Sequence, residues 1–364
     1  MKKIGILTFH CAHNYGAVLQ TYATQRLLED AGHDVEVIDY RPESLTAPYK
    51  RVRLSRLKGK NGGLSIRHLV SEVLLFPYRC IRYNAFRRFI NYRLSLSERV
   101  TRESFEGNYD VIVVGSDQVW NPEMTGGALD RMYLADFAFE KGKRRYVADA
   151  VSLSLQDGTL EVLKEGVRNF DVLSVREADK VEMLERLSGT KVTHIQDPVF
   201  QVNPEVWHEI AEKSGRKRPY ILVYRLRNHD SIDVFINELA RRKNAGIVEV
   251  LSSPNGRKLF VAKQAVSVEK FLGLISGAEY VVTTSFHGTA FSLVFNRPFY
   301  CFEFGDAKDA RLKSLLESVG MDDRMLSLGE NVPENIEMID PGLADRLALI
   351  RKESGNFILD AVNE

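Results

Sequence analysis

Short apolar runs alternate along the chain with segments whose apolar residues recur every three to four positions, and that alternation sets the fold class. Ile4-Gly5-Ile6-Leu7-Thr8-Phe9 is almost continuously apolar, the pattern of a strand buried on both faces. After the polar loop His10–Gly16, residues Val18, Leu19, Tyr22, Ala23, Leu27 and Leu28 fall at helical spacing, and Gly32 stands where a helix C-cap belongs. Val35–Tyr40 is the next strand, and strand–helix–strand in so short a span implies a parallel sheet. The rhythm resumes with strands at Asp110–Val114, Tyr146–Ala148 and Val172–Val175, and helices near Leu160–Asn169 and Asp179–Leu187. A second series follows, with strands Lys191–Ile195, Tyr220–Tyr224, Val248–Leu251, Tyr280–Thr283 and Phe299–Phe302. Its helices fit Ser231–Arg242, Val268–Ser276 and Thr289–Phe295. The expected fold is α/β, with two Rossmann-like domains facing a cleft: residues 1–190, which the helix at 341–364 can complete, and residues 191–340. A length of 364 residues exceeds one ordinary core and agrees with two domains.

Residues 43–102 break the rhythm. Between Lys50 and Arg102 fourteen Lys/Arg stand against two acids, Glu72 and Glu98, so bases outnumber acids heavily in this stretch alone. Leu69, Val70, Val73, Leu74, Phe76, Tyr78, Ile81, Tyr83, Phe86, Phe89, Ile90 and Tyr92 are interleaved among them. The stretch reads as a basic helical insertion in the first domain, its amphipathic helices interrupted near Pro77. Two interpretations stand: aromatic faces packed on the domain with a solvated basic side, or a surface that attracts an anionic polymer or membrane lipid through 50–102.

Overall composition narrows the class. Apolar residues at 44% and charged residues at 27% are the balance of a globular protein, and 50 Lys+Arg against 49 Asp+Glu argue against a nucleic-acid partner. Cys11, Cys80 and Cys301 have no CxxC or Cys/His ligand spacing, so they read as small hydrophobes in a reducing compartment rather than a disulfide framework or zinc site. The apolar run after Met1-Lys2-Lys3 is too short for a signal peptide, and nowhere do apolar residues extend far enough to span a bilayer. The expected location is the cytoplasm, with peripheral contact at the inner face of the membrane under the second interpretation of the insertion.

Three loops directly after strands concentrate chemistry. His10 to Gln20 contains Gly16 ahead of a helix N-terminus, and reads either as an ordinary connection or as an anion-approaching loop; it is not the GxGxxG fingerprint. Gly115-Ser116-Asp117-Gln118-Val119-Trp120-Asn121 offers a hydroxyl, a carboxylate and an apolar plate ringed by amides, either a structural Asx turn with a packed Trp or a grip for a sugar ring. Thr283 to Ser292 holds His287 among hydroxyls at a helix start, where an imidazole can donate and accept protons. Arg176, Arg225, Arg227, Lys308 and Arg311 are surface charges or, where they converge, anchors for phosphate and carboxylate.

Five segments in order carry a resemblance: Asn14-Tyr15-Gly16-Ala17-Val18-Leu19-Gln20, Gly115 to Asn121, Ser174-Val175-Arg176-Glu177, Gln196-Asp197-Pro198 and Ser285-Phe286-His287-Gly288. Together they resemble the polysaccharide pyruvyl transferase family. The resemblance implies a fold similar to the two-domain GT-B glycosyltransferases. It implies transfer of the enolpyruvyl unit of phosphoenolpyruvate, a co-substrate rather than a resident cofactor, to a sugar of a polysaccharide or its lipid-linked precursor. By that resemblance His287 is the general acid/base, with Asp117 as a second base or sugar-orienting group and His10 and His13 in reserve. Arg176, Arg225, Ser285, Phe286 and Gly288 bind the donor. Asn14, Tyr15, Gly16, Gln20, Ser116, Trp120 and Asn121 line the acceptor side. No metal ligand is assigned. Some branches of the family carry arginine where this chain has Ser285, which shifts the donor anion onto other cations. Two other functions fit the same architecture: a glycosyltransferase using a nucleotide sugar, and a non-catalytic sugar- or phosphate-binding protein.

Overall fold

The computed structural model describes residues 1–52, 66–106, 108–137, 144–155, 158–254, 263, 265–334 and 340–364. The chain divides into two units, one formed by Met1–Pro48, Phe89–Asn203 and Arg346–Glu364, the other by Tyr49–Arg88 and Pro204–Asp345.

In the first unit β1 (Lys3–Leu7), β2 (Asp34–Tyr40), β3 (Leu96–Val100), β4 (Val111–Trp120), β5 (Arg145–Leu153), β6 (Val172–Val175) and β7 (Val192–His194) form one sheet. Its order is β3-β2-β1-β4-β5-β6-β7, with every neighbouring pair parallel. Ile4, Ile6, Val113 and Val114 have no solvent exposure, which is why β1 and β4 read as unbroken apolar runs. Helix α1 (Tyr15–Asp30) follows β1, and Asn14 caps it by accepting hydrogen bonds from the Gly16 and Ala17 amides. Helices α2 (Glu43–Thr46) and α3 (Ile66–Arg93) precede β3, α4 (Leu160–Val167) precedes β6, and α5 (Val181–Ser188) precedes β7.

The second unit opens with α6 (Glu205–Ile210) and β8 (Tyr220–Arg225), followed by α7 (Asp230–Lys243), β9 (Gly246–Leu251) and α8 (Val268–Ser276). Then come β10 (Tyr280–Thr283), α9 (Phe286–Val294), β11 (Phe299–Phe302), α10 (Ala310–Val319) and β12 (Met325–Leu326). The sheet runs β12-β11-β10-β8-β9, again parallel. Phe235 of α7 meets Tyr300 and Phe302 of β11 edge-on, at ring-centroid separations of 5.4 and 5.1 Å, in a core shared with Ile221, Val223 and Leu239. Helix α11 (Leu343–Asn363) returns to the first unit from Arg346 onward, where Ser354 Oγ accepts from the Gln196 amide and Asn363 O accepts from Lys2 Nζ.

Both strand orders reverse direction once, between β1 and β4 in the first sheet and between β8 and β10 in the second. At such a reversal the chain leaves the two strands toward opposite faces, opening a crevice beyond their carboxyl ends.

Several expectations change. Residues 191–195 do not open the second series: β7 extends the first sheet, Leu173–Val175 pairing in register with Val192–His194. Residues 49–88 group with the second unit rather than the first. Helix α3 runs unbroken through Pro77, and Pro77 and Val73, four residues earlier, are both exposed. β3 (Leu-Ser-Glu-Arg-Val) and the two-residue β12 had no strand signature. Residues 53–65 of the basic stretch lie outside the described residues.

Phe235 is 2% exposed, so replacing it by alanine leaves a cavity among aromatic neighbours. Phe235→Ala is expected to destabilise the second unit by about 3–5 kcal/mol in urea unfolding. A loss within a few tenths of zero contradicts the packing described.

Candidate functional site

The reversal between β1 and β4 brings the loop after β1 beside the second candidate segment, which is not a loop as expected: Gly115–Trp120 continues β4, and only Asn121 lies beyond it. Gln20 of α1 is fully buried and clamps them: its Nε2 donates to Thr8 Oγ1 at 2.8 Å, and its Oε1 accepts from the Ser116 amide at 3.0 Å. Thr8 Oγ1 donates in turn to Ser116 O at 3.1 Å, and Ser116 Oγ to Ala150 O at 2.5 Å. Gly115 adopts φ 114°, and a Cβ there would stand 2.3 Å from Asp149 O, so only glycine allows β4 to pass this close to β5. Asp117 and Ala150 hold φ of 71° and 44°, left-handed backbone that L-residues adopt at a cost of about 1–2 kcal/mol each. Such strain, concentrated in the carboxyl-terminal halves of neighbouring strands, is a mark of functional sites.

Arg176, at the end of β6, is 1% exposed. Its Nη1 donates to Asp197 Oδ2 at 2.5 Å, its Nε to Ala150 O at 3.0 Å, and its Nη2 lies 3.5 Å from Asp117 Oδ1. Asp197 has no exposure and also accepts from the Val199 amide. One guanidinium therefore joins the ends of β4, β5 and β6 to the loop after β7. Asp149 lies in the same buried region. Burial pushes its carboxyl up to about 7, Asp197 adds to the effect, and Gln201 and Arg176 oppose it.

On the other side of β1, His10 is fully buried; its Nε2 donates to Asp39 Oδ1 at 2.9 Å. Against the cost of burial, hydrogen bonds from His10 and Arg41 hold the Asp39 carboxyl below its usual range. Burial pushes the Cys11 thiol up to about 12, so it is no nucleophile near neutrality.

The reversal between β8 and β10 is built the same way. Thr283 Oγ1 donates to Tyr224 O at 2.5 Å and accepts from the Ser285 amide, while Thr284 Oγ1 accepts from the Leu226 and Arg227 amides. Ser285 caps α9 by accepting from the Gly288 amide, which starts the helix at Phe286 and puts His287 inside its first turn rather than before it. A Cβ on Gly288 would stand 2.2 Å from Thr283 Oγ1, so glycine is what allows α9 to sit against β10. His287 and Phe286 are 8% and 9% exposed, the least covered of this turn. Arg225, at the end of β8, donates to Asp233 at 2.6 Å and Glu249 at 3.0 Å; its Nη1 is buried with no hydrogen-bond partner among the described residues. Arg227 is held by Asp306 and Asp309 and stacks on Phe304, 3.7 Å from the ring centroid. Lys308 is exposed and Arg311 half-buried near the start of α10.

A family model for polysaccharide pyruvyl transferases matches residues 14–305. The chain belongs to that family. No curated protein is significantly similar in sequence. Among solved structures, the UDP-GlcNAc 2-epimerase from Neisseria meningitidis bound to UDP-GlcNAc is similar over 100% of this chain and 99% of its own, at 11% identity and TM-score 0.51. The UDP-GlcNAc 2-epimerase from Methanocaldococcus jannaschii is similar over 99% of each chain, at 13% identity and TM-score 0.47. At such identity the Neisseria likeness speaks for the fold alone, which is of the GT-B type with two Rossmann-like domains.

Within this pyruvyl transferase fold the anticipated residues separate. Asn14 is half-buried at the helix cap, and Asp117, Ser285, Phe286, His287 and Gly288 sit at the two reversal points. Asn121 donates to Gln118 Oε1. Tyr15, Gly16, Gln20 and Ser116 are buried, and Gln20 and Ser116 spend their polar atoms inside the protein. Trp120 is corrected: it is 1% exposed, donates to Tyr133 O at 2.8 Å and packs edge-on against Phe170, so its ring has no face for a sugar. Asp197 and Asp149 were not among the assigned residues; Asp197 lay in a recognised segment, but nothing in spacing links it to Arg176. Among the described residues no group of three or more His, Cys, Asp or Glu side chains is arranged to hold a metal ion.

The raised Asp149 carboxyl has a consequence for stability. Ordinarily near 3.8 and here about 7, it binds a proton in the folded state that the unfolded chain has released, so its contribution to stability falls as pH rises between those values. Asp149→Asn is expected to gain on the parent by up to about 1.4 kcal/mol per pH unit across that window and to hold a constant advantage above it. Urea unfolding from pH 4 to 8 checks this; parallel profiles for the two proteins contradict it.

Proposed function

We propose that this protein transfers the enolpyruvyl unit of phosphoenolpyruvate to two hydroxyls of a sugar in a polysaccharide or its lipid-linked precursor, forming a cyclic pyruvate ketal and releasing phosphate. The observation that carries the reading is placement: the segments by which the chain resembles its family include the start of α1 and the carboxyl-terminal half of β4 at the first reversal point and the His287 turn at the second. Loops at such points are where parallel sheets bind ligands.

The chemistry needs a proton at the donor's methylene carbon, which becomes a methyl group and leaves an oxocarbenium-like centre at the adjacent carbon. One sugar hydroxyl adds there and gives up its proton. The second hydroxyl replaces phosphate, whose C–O bond breaks and which carries away the remaining proton. His287, in the first turn of α9, supplies the proton to the methylene carbon, and Asp117 takes the proton of the attacking hydroxyl. Arg225 holds the donor's anionic groups, its uncommitted Nη1 gaining a partner in the process. Arg176 serves this reading as the group that positions Asp117, since its three nitrogens already face protein oxygens. Asn14 and Asn121 remain the acceptor-side groups.

Phosphoenolpyruvate is expected to raise the melting temperature of the protein, and UDP-, GDP- and TDP-sugars to leave it unchanged. The shift persists in His287→Ala and shrinks in Arg225→Ala. With phosphoenolpyruvate and a panel of glycosides, phosphate release in His287→Ala falls by about 10²–10⁴-fold. A shift with a nucleotide sugar alone makes the protein a glycosyltransferase. Donor binding without turnover in the parent protein makes it a binding protein.

A further inference from the structure

Helix α3 has two faces of unusual character. Toward the protein it presents Leu75, Arg79, Arg82, Phe86, Phe89 and Ile90, all buried. Arg79 is neutralised by a bidentate pair with Glu72, and Arg82 lies 4.6 Å over the Phe86 ring. The opposite face is apolar where a soluble helix is charged. Leu69, Val70, Val73, Leu74, Phe76 and Ile81 fall on one side of the helix and are 43–65% exposed. Two turns beyond Ile81 the same stripe continues with Arg87 and Arg88, both exposed. Arg51 joins this rim, donating to Asn84 Oδ1 at 3.1 Å and stacking 4.3 Å from the Tyr83 ring centroid. Glu72 is the only acid of α3, and it is paired with Arg79 on the inward side, so the helix itself offers no acid to Arg87 and Arg88 on the outward face.

We propose that this face docks on an anionic lipid surface. Six exposed apolar side chains along about three turns of helix suit the boundary between headgroups and acyl chains, and flanking arginines suit phosphate headgroups. A purely polyanionic partner would satisfy the arginines and leave the apolar stripe in water. A second copy of this chain, meeting the same face, would bring no acid to the arginines. A bilayer bearing phosphate groups covers both features. No helix among the described residues is long and apolar enough to cross a membrane, so the attachment is peripheral and reversible. The inference is independent of the transfer chemistry and places the protein where lipid-carried sugars are presented.

The test is co-sedimentation of the full chain with phosphatidylcholine vesicles, with and without about one-third phosphatidylglycerol, at low and high salt. The expected result is at least about tenfold tighter binding to the anionic vesicles, weakening as salt screens the arginines. Val73→Asp/Ile81→Asp and Arg87→Gln/Arg88→Gln are each expected to lower that binding about tenfold, with the melting temperature unchanged because all four residues are exposed. Equal binding to neutral vesicles, no binding, or both variants binding as the parent does overturns the proposal. A concentration-dependent dimer in sedimentation velocity that Val73→Asp/Ile81→Asp abolishes also overturns it, assigning the face to a second copy.

Discussion

A guanidinium with almost no access to solvent sits between carboxylates at the carboxyl end of the first sheet, and the architecture of that end depends on it. Arg176 cannot be left there alone: stripping one partner from a buried ion pair costs about 3–5 kcal/mol, because the remaining charge has neither water nor counter-charge. Asp197 supplies the close partner at 2.5 Å, and the Ala150 carbonyl fills the Nε direction. The third direction points at Asp117, held in left-handed backbone that it would not adopt in isolation. The pair thus matters less as net stabilisation than as a fixed point from which strained residues are hung.

The second sheet solves the same problem with hydroxyls. Thr283, Thr284 and Ser285 satisfy amides and carbonyls at the ends of β8 and β10, and Gly288 removes the side chain that would push α9 away. In both units the groups that touch solvent are few and sit on top of a buried layer of polar groups. This is the arrangement expected when loops carry function and a rigid scaffold carries the loops.

Much of this was legible in the order of residues. β6, β10 and β11 were placed to the residue because each is a short apolar run bounded by turn residues. The loops after β1 and β10 were found because polar residues directly after a buried strand have few structural reasons to be there, whereas Gly115–Trp120 proved to be a continuation of β4. What escaped reading depended on partners distant in the chain. Trp120 carries an apolar body and a polar N–H, and sequence cannot say that Tyr133 O and Phe170 claim both. Arg176 looked like a donor-binding cation because its pairing with Asp197 spans 21 residues with no periodicity to reveal it. Pro77 suggested a break because its ring removes an amide donor and crowds the carbonyl four residues earlier, a cost that the packing of the long buried face of α3 outweighs. Leu96–Val100 escaped as a strand because its alternation is half charged.

The central claim is that the methylene carbon of an enol phosphate is protonated and that the adjacent carbon loses its C–O bond to phosphate. Running the reaction in D₂O with phosphoenolpyruvate and a glycoside acceptor, and reading the product by mass spectrometry and NMR, tests it directly. The account predicts a sugar-linked ketal whose methyl group carries one deuterium, formed with inorganic phosphate. A ketal methyl without deuterium, or a product formed from a nucleotide sugar with release of nucleoside diphosphate, contradicts it.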